Sequence, residues 1–218
     1  MGAPPEILVH RDATVLARTG AARLVVSLLD AQAARGSASL VLTGGGIGGA
    51  TLRAVAESPA IDAVDWSRVD VWWGDERFIP RDDPDRNEGQ ARAALLDRVD
   101  VDESRVFPMG WLGGPDPTPE DAADRYAALL ADRASPHAAT PVPEFDVLLL
   151  GLGPDGHIAS LFPGAPALEE KRPVVAVHNS PKPPPTRVSL TYPAIAPARE
   201  VWVIAAGEET ADAVSRAL

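Results

Sequence analysis

Phe145-Asp146-Val147-Leu148-Leu149-Leu150, followed at once by Gly151-Leu152-Gly153-Pro154-Asp155-Gly156-His157, is the stretch that most restricts how this chain can fold. A short run that is apolar on both faces reads as a strand buried between two layers, the pattern of a central parallel strand. A glycine-rich turn directly after it places small and titratable residues at the strand's carboxyl end.

Strand-like and helix-like segments alternate along the rest of the chain. Residues 6–10, 39–43, 69–73, 174–177, 187–191 and 200–205 read as further strands, and residues 106–108 as a weak one. Val15, Thr19, Ala22, Val26, Leu29 and Ala33 recur at helical spacing and predict an amphipathic helix with that face inward, closed by Gly36. Further helices are expected from the glycines at 44–49 through about Glu57, over 87–98, from Thr118-Pro119-Glu120-Asp121 to about Arg133, and from about Glu208. The pattern predicts one α/β domain over residues 1–218 with a mostly parallel, open, Rossmann-like sheet flanked by helices on both faces. The chain ends inside its last predicted helix, so further C-terminal residues are expected.

Charge narrows the partners. The net charge is −11, which repels nucleic acid and anionic membranes at long range. An anionic metabolite is repelled too, unless basic residues gather locally. No cysteine is present, which excludes disulfides, thiolate nucleophiles and Cys-ligated zinc. The four histidines show no metal-ligand spacing, so no metal or other cofactor is expected. The apolar runs are too short for a membrane span, and residues 1–10 lack a secretory pattern. A cytoplasmic monomer is the resulting expectation.

Ligands of open parallel sheets bind beyond the carboxyl ends of the strands. Four loops there carry candidate residues. Gly44-Gly45-Gly46 offers main-chain N–H groups to an anion at a helix start, or serves only as a tight turn. In Gly74-Asp75-Glu76-Arg77, Arg77 suits a phosphate, and Asp75 or Glu76 suits sugar hydroxyls or the orienting of Arg77. Alternatively the segment is a solvated loop with a local ion pair. His157, alone among the histidines in following a buried strand and a glycine turn, suits acid/base work. Asp155 then fixes its tautomer, contacts substrate or caps a helix. His10 and His137 read as structural or neutral. Lys182 and Arg187 flank the stiff run Pro183-Pro184-Pro185 and can add a local basic site.

Both Gly44-x-Gly46-x-x-Gly49 and Gly151-x-Gly153-x-x-Gly156 match the dinucleotide pattern, which shows how little that pattern discriminates. No Gly-x-Ser-x-Gly elbow or Walker lysine is present, so serine-hydrolase and NTPase chemistry find no support.

Taken in order, Gly74-Asp75-Glu76-Arg77, then Asn87 with Ala91-Arg92, then residues 151–164, then Pro181-Lys182-Pro183-Pro184 with Arg187-Val188-Ser189-Leu190 resemble the 6-phosphogluconolactonases of the glucosamine-6-phosphate isomerase family. The resemblance implies hydrolysis of 6-phospho-D-glucono-1,5-lactone to 6-phospho-D-gluconate, the second step of the oxidative pentose phosphate pathway, without metal or cofactor. It implies His157 as the group that activates water, with Asp155 as its neighbour. Gly44, Gly45, Gly46, Asp75, Arg77, Asn87, Lys182 and Arg187 are then expected around the phosphorylated sugar lactone. Two positions depart from the family pattern. Gly46 stands where a hydroxyl residue is usual, though Thr43 keeps one before the glycines, and Arg86 stands where a serine is usual. The related deaminases continue the Asp-Gly-His turn into a further carboxylate. Here Ser160-Leu161-Phe162-Pro163-Gly164 follows, with no acid before Glu169. A sugar-phosphate-sensing regulator, a second alternative, would be expected to carry a basic DNA-binding segment before residue 39, and none is seen there; an NAD(P)-dependent oxidoreductase, a third, rests only on the glycine patterns.

Overall fold

The run at 145–150 lies inside a sheet, as its composition requires. The computed structural model describes residues 5–136 and 138–218, so His137 lies outside the described residues. Helix α1 (Ala13–Arg35) leads to β1 (Ala38–Leu42), α2 (Gly45–Ala56) and β2 (Val69–Trp73). After β3 (Asp75–Arg77), α3 (Asn87–Ala94) and α4 (Pro119–Arg133) comes β4 (Val147–Gly151). Strands β5 (Val174–Val177) and β6 (Arg187–Leu190), the short α5 (Tyr192–Ile195), β7 (Glu200–Ile204) and α6 (Ala211–Ala217) follow.

Strands β2-β1-β4-β7 form a four-stranded sheet in that order, and every pair in it is parallel. Val147 to Leu150 of β4 are buried in its interior. Helices flank this sheet, as the alternating pattern predicts, and no helix of the described residues is long and apolar enough to cross a membrane.

A second sheet, β3-β6-β5, is antiparallel throughout. The sequence reading counted β5 and β6 among the strands of the mostly parallel sheet. Connection length explains the difference: residues 178–186 between β5 and β6 are too few for a parallel crossover, which takes a dozen or more. The supposed loop at 75–77 is itself a strand, separated from β2 by Gly74 alone. The chain therefore steps from one sheet to the other at that glycine.

Two further expectations are corrected. Residues 6–10 form no strand; Val9 is 90% exposed, and His10 reaches Thr19 Oγ1 on α1 at 3.3 Å. Side chains left in water give a strand there no packing to gain. Helix α1 and its Gly36 cap are as expected, with Gly36 at φ 77°. Its buried stripe, however, is Ala17, Ala21, Leu24, Val25, Leu28 and Ala31, while Val26 is 55% exposed. Apolar residues surround this helix, so spacing alone allows more than one inward face. The alanines let the true face approach its neighbours closely.

The weak strand at 106–108 reduces to a single parallel bridge, Val106 with Val71. Helix α4 begins where the sequence places it. Thr118 Oγ1 accepts from Asp121 N–H at 3.1 Å, and Asp121 Oδ2 accepts from Thr118 N–H at 3.2 Å, a reciprocal cap. Thr118→Ala is expected to cost about 1 kcal/mol of stability. A denaturant titration with a lower midpoint at unchanged slope would bear that out.

Candidate active site

The carboxyl ends of β1, β2 and β4 open onto one cleft of about 490 Å³. Gly44, Gly45, Gly46, Asp75, Arg77, Asn87, His157, Lys182 and Arg187 all line it. Asp155 reaches it through His157.

Strand β4 is fastened to β1 at this end, because Gly151 N–H donates to Thr43 Oγ1 at 3.1 Å. The turn beyond closes on itself: Gly153 N–H donates to His157 O and Gly156 N–H to Gly153 O, both at 2.9 Å. The imidazole lies so close over Gly153 that a Cβ there would stand 2.1 Å from its Cε1 and Nδ1. The Gly-x-Gly spacing thus makes room for a histidine ring and is no sign of a dinucleotide site. No helix begins at this turn, so the capping alternative for Asp155 falls away. Asp155 Oδ1 and His157 Nδ1 are 2.5 Å apart.

Burial by itself would raise the Asp155 carboxyl. The hydrogen bond and charge of His157, with Lys182 Nζ at 3.8 Å, outweigh it and hold the group below the ordinary carboxylate value. An ionised carboxylate only accepts, so Nδ1 must donate, and neutral His157 keeps its lone pair on Nε2. Phe162, buried, stacks on the imidazole at 4.4 Å between centroids.

On β3 the two acids differ. Asp75 is buried in the cleft wall, accepts from Ser160 Oγ at 2.7 Å and lies 3.8 Å from Arg187 Nη1. Glu76 is only 1% exposed and accepts from the N–H groups of Asn87 and Glu88 at 2.8 Å each. It anchors the amino end of α3 to β3 and is closed to any sugar hydroxyl, so the sequence reading of Glu76 as a possible hydroxyl ligand is corrected. Burial raises its carboxyl above the ordinary value, against the opposing pull of Arg86 and three main-chain N–H groups.

Arg86 is completely buried. It donates to Arg77 O at 3.1 Å, Gly110 O at 3.0 Å and Met109 O at 3.0 Å, and its Nη2 lies 3.4 Å from Glu76. Its departure from the family's serine is therefore a structural one. Asn87 donates from Nδ2 to Asp75 O at 2.9 Å, and its buried Oδ1 has no partner. A Cβ on Gly44 would stand 2.0 Å from that Oδ1, so Asn87 occupies the space glycine leaves.

The cations reach the cleft in different states. Arg77 Nη1 donates to the main-chain oxygen of Asp85. Arg187 donates from Nε to Pro184 O at 3.1 Å and from Nη2 to Lys182 O at 3.0 Å, so it braces the proline loop. Its guanidinium carbon lies 5.9 Å from the centre of the Phe162 ring. His178 sits outside the cleft, with Nε2 2.5 Å from Glu120.

Sequence reasoning missed Gly153, Ser160 and Phe162 as parts of this site. The close spacing of 151–162 was the available signal, since a turn that short brings everything in it to one strand end.

The profile of the glucosamine-6-phosphate isomerases/6-phosphogluconolactonase family matches residues 11–218. A 6-phosphogluconolactonase of Streptomyces coelicolor is 56% identical over 220 residues, covering 100% of this chain and 84% of that protein. The corresponding protein of Mycobacterium tuberculosis is 49% identical over 214 residues, covering 97% of this chain and 85% of its own length. Among solved structures, a 6-phosphogluconolactonase from Trypanosoma brucei superposes with a TM-score of 0.82 at 32% identity, over 97% of this chain and 86% of that one. On this evidence the chain belongs to the glucosamine-6-phosphate isomerase/6-phosphogluconolactonase family.

Proposed function

We propose that the cleft hydrolyses 6-phospho-D-glucono-1,5-lactone to 6-phospho-D-gluconate, the second step of the oxidative pentose phosphate pathway, with His157 as general base and then general acid. The observation that carries this reading is the Asp155–His157 pair at 2.5 Å in the wall of a cleft that also gathers Arg77, Lys182 and Arg187. With Nδ1–H given to Asp155, Nε2 takes a proton from water as the water oxygen attacks the lactone carbonyl carbon. The carbonyl oxygen becomes an oxyanion beside a cation of the cleft. Collapse breaks the bond to the ring oxygen, which receives the proton back from Nε2, and the new carboxylic acid ionises. Atoms and charge balance without a further reactant.

The residues after the turn favour water addition over ring opening with amine loss. Phe162 rather than a carboxylate covers the His157 ring, and Ser160 is held by Asp75. The test is a coupled assay in which glucose-6-phosphate dehydrogenase supplies the lactone and 6-phosphogluconate formation is followed. The rate must exceed spontaneous lactone hydrolysis; no excess over the enzyme-free control overturns the reading.

The Asp155 carboxylate stays ionised below the ordinary carboxylate range. Asp155→Asn takes away the charged acceptor that holds Nδ1–H and with it the lone pair on Nε2, so kcat is expected to fall with KM little changed. An unchanged kcat would mean that Asp155 does not act through His157. Linkage has the usual sign for a depressed acid: the stability from this pair is present above the unfolded value and is lost as pH falls through the folded one.

A further inference from the structure

Residues 158–162 carry the chain from the His157 turn to the antiparallel sheet. Leu161 N–H donates to Ile158 O at 2.9 Å and closes a tight turn. Inside it Ala159 stands at φ 48°, in the left-handed region that a residue with a Cβ rarely occupies. Such a conformation persists only where its surroundings hold it. The next residue, Ser160, is completely buried and supplies the hold.

Ser160 is tied on two sides. Its hydroxyl donates to Asp75 Oδ2 at 2.7 Å, and its N–H donates to Ser189 Oγ at 3.1 Å. Ser189 passes its own hydrogen to Leu190 O at 2.9 Å, so its oxygen is free to accept. Asp75 and Ser189 are register partners across β3 and β6. Ser160 therefore fastens the His157 turn to the strand pair that carries Arg77 and Arg187.

The groups needed for water addition lie on opposite sides of that joint. His157 follows β4 of the parallel sheet, and Arg187 opens β6 of the antiparallel one. Phe162, two residues beyond Ser160, lies against both: 4.4 Å from the His157 ring centre and 5.9 Å from the Arg187 guanidinium carbon. Asp75, which the Ser160 hydroxyl orients, is also 3.8 Å from Arg187 Nη1. A base that activates water and a cation that meets the carbonyl oxygen must be placed together. An error near 1 Å in such placement costs on the order of 10²-fold in rate.

We propose that Ser160 is a positioning residue that, through Asp75, fixes His157 and Arg187 relative to one another without touching substrate itself. This rests on the lactonase reading and adds to it the joint that aligns base and cation.

Ser160→Ala removes the hydroxyl and keeps the N–H bond to Ser189. Its kcat for the lactone is expected to fall about tenfold, the worth of one charge-assisted bond, with KM within about twofold of the unaltered chain. Added to Asp75→Ala, it is expected to change kcat by less than about twofold, because both substitutions remove the same bond. Effects that multiply overturn the path through Asp75. The Nδ1 proton that His157 gives to Asp155 supplies a second readout, a downfield proton resonance identified by its loss in His157→Ala. It is expected to broaden or vanish in Ser160→Ala. An unchanged kcat or an unchanged resonance overturns the proposal. Should the alanine variant not fold, Ser160→Cys keeps the bulk with a weaker donor, on a chain with no other cysteine. Wild-type kcat and resonance in that variant overturn the proposal equally. Failure of the unaltered chain to hydrolyse the lactone overturns the lactonase reading alone, and the resonance then still decides whether Ser160 positions His157.

Discussion

His157→Ala is expected to lower turnover of the lactone by about 10²–10⁴-fold, the usual worth of a positioned general acid/base. The fold should survive. The His157 side chain retains 15% exposure, and its main-chain oxygen, which accepts from Gly153 N–H, is kept in the variant. What is lost is the proton acceptor and the stack on Phe162. The cations of the cleft stay, so binding and oxyanion stabilisation persist and set the residual rate. The spontaneous reaction must be subtracted, because it alone can imitate a weak enzyme. Near wild-type hydrolysis by a folded His157→Ala protein would remove His157 from the chemistry.

Arg86→Met is expected to cost about 3–5 kcal/mol of stability, the range for removing one partner of a buried ionic network. The methionine fills most of the space but leaves Glu76 without its buried cation, and it takes the Arg86 donor from the carbonyls of Gly110 and Met109, while Arg77 O keeps the Ile79 N–H at 3.0 Å. A domain has only about 5–15 kcal/mol to lose, so the drop should be plain in a denaturant titration. The deficit should also depend on pH. Burial already holds Glu76 above its ordinary value, and losing Arg86 raises it further. With the folded value above the unfolded one, stability increases as pH falls through the folded value. A loss below about 1 kcal/mol would show that the main-chain N–H groups alone satisfy Glu76.

The parallel sheet was readable because each of its strands is an apolar run between helical segments, and β4 announces its central place by having no polar face. The antiparallel sheet was hidden for a local reason. Asp75-Glu76-Arg77 looks like a polar loop, since its side chains do their work in buried networks that only the fold assembles. The connection at 178–186 did hold the missing clue, being too short for a crossover. In the site, the turn at 151–157 and the cations were visible as residue types at strand ends. The division between Asp75, in the cleft wall, and Glu76, under α3, was not. Neighbours on a strand point to opposite faces, and which face meets the cleft depends on a pairing with β6 that spacing does not reveal. Arg86 was legible only as a departure; its burial depends on Met109 and Gly110, far along the chain.

The carboxylates of Asp75 and Asp155 bear on how turnover ends. Under the proposed reaction a neutral lactone carbonyl becomes a carboxylate, so the product leaves with one negative charge more than the substrate brought. Beside His157 that new charge appears close to two fixed acids, on a chain of net charge −11. Lys182 and Arg187, each 3.8 Å from one of those acids, offset part of that repulsion, so the wall meets the neutral ester and the acid it becomes with a different balance of charge.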